Sequence, residues 1–185
     1  MTNADTTLTT SALPLAPGRW ALDGNHFRVG FAVRHLGVSK VRGHFADVQA
    51  ELVVGETPAE SSVTATVAIA SVDTGNKDRD AHILAPDLLD VAARPTMTFH
   101  STDISGTGDE WTLDGELTIG GVTRPVTFAV EFGGTSDFQD GVHAGFEARG
   151  EIRRHDFDIH FGPLDAALGN VVKLELDLEF LQPAG

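Results

Sequence analysis

From Arg19 onward the apolar residues return at every second position, segment after segment, and this alternation predicts strands with one buried and one wet face. Phe27, Val29, Phe31 and Val33 form one such comb, and Val63, Ala65, Val67 and Ile69 form another. Trp111 to Ile119, Val126 to Phe132 and Phe146 to Ile152 repeat it. Val172, Leu174, Leu176, Leu178 and Phe180, set against Lys173, Glu175, Asp177 and Glu179, close the series. Between Val41 and Val54 the phase slips from odd to even positions, which predicts a β-bulge near Asp47. Gly120-Gly121 separates two combs by two residues and predicts a tight hairpin, while Gly133-Gly134 and Gly141 are read as bounding a longer turn.

One stretch departs from the alternation. Across Val72 to Pro95, Asp73, Thr74 and Asn76 offer caps, and Ala81, Ile83, Leu84, Leu88 and Leu89 fall at helical spacing around Pro86, so one or two short helices are predicted. The fold class is therefore all-β, with eight or nine antiparallel strands, and the length of the continuous strands favours a closed barrel over a sandwich. Residues 1–18 are read as a disordered tail and residues 19–183 as a single domain.

A barrel would turn Phe27, Phe31, Phe45, Phe99, Phe128 and Phe146 inward together with small residues at Gly43, Ala65, Gly115, Ala144, Ala148 and Gly150. Small inward residues leave room for an apolar ligand, or else fit a taper inside a solid core. The alternation does not choose between them.

Composition narrows the chemistry. Without Cys, disulfides, thiolate metal sites and thiol nucleophiles are excluded. With 27 acidic against 13 basic residues the net charge is −14, which opposes sequence-independent attraction to nucleic-acid phosphate or anionic lipid. No apolar run reaches the length of a membrane span, and the first residues lack a basic, apolar leader, so a cytoplasmic location is expected.

The eight His carry no metal-ligand motif. On a strand, His155 and His160 would face opposite ways, so no metal or cofactor is expected. Arg79, Asp80 and His82 sit where strand gives way to helix. They are read either as a capping network or, for Arg79 and His82, as groups meeting a ligand's polar head, with Arg34 and His35 as further candidates. A proton-transfer site built from His35, Asp80 and His82 is a rival reading.

Several segments together resemble the YceI-like proteins. These are Trp20 to Asp23 with His26, the run Phe31 to Phe45 through His35, Gly37 and Gly43, Val72-Asp-Thr-Gly75 with Arg79-Asp80 and His82, Asp87 to Asp90, Pro95 to Thr102, Asp114 to Val126, and Arg153 or Arg154 with Asp156-Phe157. The resemblance implies an extended eight-stranded lipocalin-like β-barrel, often dimeric, whose apolar cavity takes an isoprenoid quinone, a polyprenyl or a similar long-chain lipid. It implies no catalytic set. The expected cavity wall is Phe27, Phe31, Phe45, Phe99, Leu117, Phe128 and Phe146, with Arg79, His82, Arg34 and His35 as candidates for the head. The expected function is binding, storage or transport of such a lipid; a small-molecule enzyme using the same cavity and a solid-barrel interaction module are the rivals.

Overall fold

The computed structural model describes residues 12–184. Ten strands form one sheet: β1 (Gly18–His35), β2 (Ser39–Phe45), β3 (Val48–Val54), β4 (Ser62–Ala68), β5 (Val72–Asp73), β6 (Thr96–Thr107), β7 (Glu110–Ile119), β8 (Val122–Phe138), β9 (Gly141–Arg153) and β10 (Leu168–Pro183). Every pairing is antiparallel, and β10 pairs with β1. β2 and β3 occupy successive stretches of one edge of β1, so they share one position and the barrel has eight, with β5 a short flap on β2.

Alternation decides which face each strand buries, and apart from Phe27 the inward aromatic residues are those the combs predict. The phase slip near Asp47 is resolved differently from a simple bulge. The strand breaks, with the Ala46 amide donating to the Ser71 carbonyl and the Asp47 carbonyl accepting from the Ala68 amide. Both β2 and β3 thereby keep their apolar residues inside.

Ile119 pairs with Val122 across Gly120-Gly121, whose φ angles of 58° and 79° are those of a type I′ turn that L-residues with side chains resist. Gly133 and Gly134 do not bound a turn. β8 runs on to Phe138, the register shifts between Phe132 and Gly134, and the reversal falls at Gln139-Asp140. A glycine pair inside a long strand marks a bulge, and here Gly134 takes a φ of 102°.

The exceptional stretch yields one helix, α1 (Lys77–Ile83). Asn76 caps it by accepting from the Arg79 amide, and Asp78 and Asp80 lie in its positively polarised first turn. The second helical turn is replaced by tight turns around Leu88, where Pro86 supplies no amide and Asp90 sits at φ 48°.

The barrel has two unlike ends. The upper end carries the β1–β2 hairpin, α1 with the turns after it, the Gly120-Gly121 hairpin and the connection from Arg153 to Leu168. Ile69, Ile119, Phe157 and Ile159 pack there against Leu84, Leu88 and Leu89. The lower end is stoppered by Trp20, Leu52, Val54 and Phe180 together with Leu15. Of the expected tail, residues 1–11 lie outside the described residues. Leu13 and Leu15 are packed and not part of a tail, because the short apolar run before Pro17 seals the lower end.

Candidate functional site

Between the two ends the barrel encloses a cavity of about 510 Å³. Its wall follows β1 from Leu22 to His35, which at about 3.4 Å per residue and a tilt of about 40° is roughly 30 Å along the axis. A volume of that size over that length is a narrow channel, wide enough for one extended chain. The interior is therefore not solid.

Glycines make this channel by admitting aromatic rings. Gly43 pairs with Phe31, and a Cβ at Gly43 would stand 2.5 Å from Phe31 Cζ. A Cβ at Gly115 would stand 2.3 Å from Phe99 Cζ, and one at Gly150 would stand 3.0 Å from Phe128 Cδ1. Each ring occupies the space that a side chain at its glycine would fill. The small residues thus give the rings room at the wall of the channel. Phe99 and Phe128 meet edge to face at 5.7 Å, which fixes both rotamers.

Phe31, Phe45, Phe99, Leu117, Phe128 and Phe146 all line the channel. Phe27 does not; it follows an irregularity in the β1–β10 register and borders an outer cleft with Asn25 and Glu131. The structure also places Trp111, Phe180, Leu22 and Phe161 in the wall. Trp111 and Phe180 belong to combs legible in the sequence, whereas Phe161 sits in the irregular connection, where no periodicity announces a facing.

The basic side chains of the wall, Arg79, His82, His35 and Arg154, all stand at the upper end, and apart from Thr112 the rest of the lining is apolar or glycine. Arg34 stands on the opposite face of β1, where it pairs in register with Lys40. Arg79 donates from Nε to Thr74 Oγ1 at 2.7 Å and from Nη2 to the Thr74 carbonyl at 2.8 Å, while Asp80 accepts from the Thr74 amide and hydroxyl. That network fixes the guanidinium over the mouth and leaves Nη1 without a protein acceptor among the described residues.

His82 Nε2 lies 2.9 Å from Asp87 Oδ2, and its ring packs on Phe161 with centroids 5.0 Å apart. The hydrogen bond from His82 holds the Asp87 carboxyl below the usual carboxylate range. Asp80 and His82 therefore have separate partners, and His35, Asp80 and His82 share no hydrogen bond among the described residues.

Arg154, 3% exposed, is the buried charge of the upper end. Its Nε donates to the Gly169 carbonyl, Nη1 to the Ile159 carbonyl and Asp165 Oδ1, and Nη2 to the carbonyls of Asp165 and Leu168. Five donors meet five acceptors, the condition for burying a guanidinium without an orphaned group. His155 and His160 do not lie on one strand and do not face opposite ways. Arg154–Phe157 is a 3-10 turn, Asp158 has φ 56°, and the two imidazoles stack at 4.7 Å.

A family model described as the YceI-like domain matches residues 20–180. Protein YceI of Escherichia coli is 38% identical over 157 residues, covering 83% of this chain and 82% of that protein. BcnA of Burkholderia cenocepacia superposes with a TM-score of 0.74 at 22% identity, covering 85% of this chain and 98% of BcnA. A polyisoprenoid binding domain from Saccharophagus degradans superposes with a TM-score of 0.67 at 14% identity, covering 89% and 98% of the two chains. With the closed eight-position barrel and a family model spanning nearly every described strand, the chain belongs to the YceI-like family.

Proposed function

We propose that this protein binds one long-chain apolar amphiphile, an isoprenoid quinone or polyprenyl lipid by preference, with its tail in the channel and its head at the upper end. The observation that carries the reading is the polarity of the channel. A cavity of about 510 Å³ falls within the size of single-ligand pockets, and apart from Thr112 its wall is apolar or glycine except at the upper end, which carries Arg79, His82, His35 and Arg154. An apolar tail gains about 0.8 kcal/mol for each methylene it buries, and a polar head loses little when it stops at the end that carries the basic groups. The Saccharophagus domain's description as polyisoprenoid binding supports the ligand class. Carriage or sequestration follows from such binding, since a lipid enclosed along its length is removed from water.

Organic extraction of the purified protein with mass spectrometry of the extract tests this. One prenyl-type lipid per chain is the expected result. A polar metabolite in its place, or failure of the delipidated protein to take up any long-chain lipid, would overturn it.

A further inference from the structure

The outer wall carries a second constellation, at the seam where β1 meets β10. Leu22 pairs with Phe180 and Phe27 with Leu178, so the four residues Asp23 to His26 stand opposite Glu179 alone. This excursion turns two of its side chains toward β10. Asp23 Oδ2 lies 2.8 Å from His26 Nδ1, which is 4.0 Å from Glu179 Oε1. From β9, His143 brings Nδ1 to 2.6 Å from the same Glu179 oxygen. One donor atom from each of Asp23, His143 and Glu179 falls within 4.8 Å of the others. The side chains of Asp23 and His143 are only 12% and 15% exposed, unlike those of a solvated surface cluster.

We propose that Asp23, His143 and Glu179, joined by His26, form a binding site for a divalent transition metal of the zinc class. Two imidazole nitrogens with two carboxylates suit zinc, cobalt or nickel and do not suit magnesium or calcium, which take oxygen. Metal bonds of about 2.0 to 2.1 Å set tetrahedral donors about 3.3 Å apart, so the 2.6 Å pair of His143 and Glu179 opens by under about 1 Å, and the exposed His26 ring, which lies outside the close group of three, swings inward to become the fourth donor.

A second feature points the same way. The far nitrogen of His143, Nε2, lies 2.8 Å from Asp140 Oδ1. A carboxylate on the distal nitrogen is the usual companion of a metal-bound imidazole, where it fixes the tautomer and raises ligand basicity. Space is available too. Gly133, Gly134 and Gly145 floor a depression of about 380 Å³ against His26, His143 and Glu179, and a Cβ at Gly145 would meet nothing within 4 Å. An ion there would tie β1 to β9 and β10 where the barrel closes. The site lies outside the channel, so it stands or falls apart from lipid binding.

The test is titration of chelator-treated protein with Zn²⁺ by calorimetry and with Co²⁺ by visible absorption. One ion per chain is expected, with a cobalt spectrum of low coordination number and no displacement by excess Mg²⁺. His143→Gln and Glu179→Gln should each weaken binding tenfold or more. Asp140→Asn should weaken it roughly 10- to 100-fold without changing the stoichiometry. If His143→Gln unfolds the seam, the exposed His26→Gln gives the same reading on a folded chain. No uptake by the parent protein, displacement of the ion by Mg²⁺, or undiminished uptake by the His143→Gln/Glu179→Gln double variant would overturn the proposal.

Discussion

Nη1 of Arg154 lies 2.5 Å from Oδ1 of Asp165, and the same carboxylate reaches His155 Nε2 at 2.9 Å and accepts from the Phe161 amide at 2.8 Å. One acidic side chain thereby fixes the connection that forms one side of the channel mouth and sets Phe161 against His82. Replacing the guanidinium should be costly, because the carbonyls of Ile159, Asp165, Leu168 and Gly169 would lose their donors. Arg154→Met is expected to lower stability by about 3 to 5 kcal/mol, the range for breaking a buried charged network, and chemical denaturation measures it. A change under about 1 kcal/mol would mean that water replaces the guanidinium.

The same pair sets a pH dependence. Hydrogen bonding from Arg154, then from the Phe161 amide, holds the Asp165 carboxyl well below its ordinary 3.8. Its folded-state value is depressed, so its contribution is complete above the unfolded value and is lost as pH falls below it toward the folded one. Thermal unfolding of the parent protein should therefore lose stability as the pH drops below about 4, and Asp165→Asn should show a shallower decline over that interval. Parallel acid profiles for the two proteins would contradict this assignment.

The pairing of Phe31 with Gly43 gives a test of how the channel is kept open. Gly43→Ala places a methyl 2.5 Å from the Phe31 ring and 2.8 Å from Thr74 Cγ2, so the ring must leave the wall. A loss of about 1 to 3 kcal/mol is expected from the overpacking, with weaker lipid uptake as the ring enters the channel. Adding Phe31→Ala should restore much of the uptake while lowering stability further. Additive losses of uptake in the double variant would show that the two residues do not act through one space.

Much of the barrel was legible because alternation reports burial directly, as in Val172 to Phe180 against Lys173 to Glu179. Parity also separates His35, on the inward set with Phe31 and Val33, from Arg34 on the outside. What the pattern could not report was backbone that leaves the period of two. Gly133-Gly134 reads as a turn because glycine serves bulges and turns alike, and only the pairing of β8 with β9 decides between them. His155 and His160 come together through a 3-10 turn and a left-handed Asp158. The donors of the outer cluster, at positions 23, 26, 143 and 179, are joined by closure of the barrel, which no local spacing encodes.

Arg79 provides a test of the head group. Thr74 holds its guanidinium through Nε and Nη2, so Arg79→Gln should remove a charged donor at the mouth without altering the apolar wall. Affinity for an anionic-head lipid should fall about tenfold relative to a hydrocarbon of the same length, the size of one charge-assisted hydrogen bond. Competition binding with the two probes measures it. Equal losses for both would assign Arg79 to holding the Thr74 turn.

In the proposed binding mode the channel reads the length of the tail, and affinity measured across a series of prenyl chains sharing one head reports it. Each buried isoprene unit should contribute on the order of 3 kcal/mol before ordering costs, and binding has a practical ceiling near 18 to 21 kcal/mol. Affinity should therefore climb steeply with the first units and level off once the tail fills the roughly 30 Å between the mouth and the Leu15 stopper. Affinity that is flat from the shortest chain onward would place recognition in the head alone and overturn tail binding in the channel.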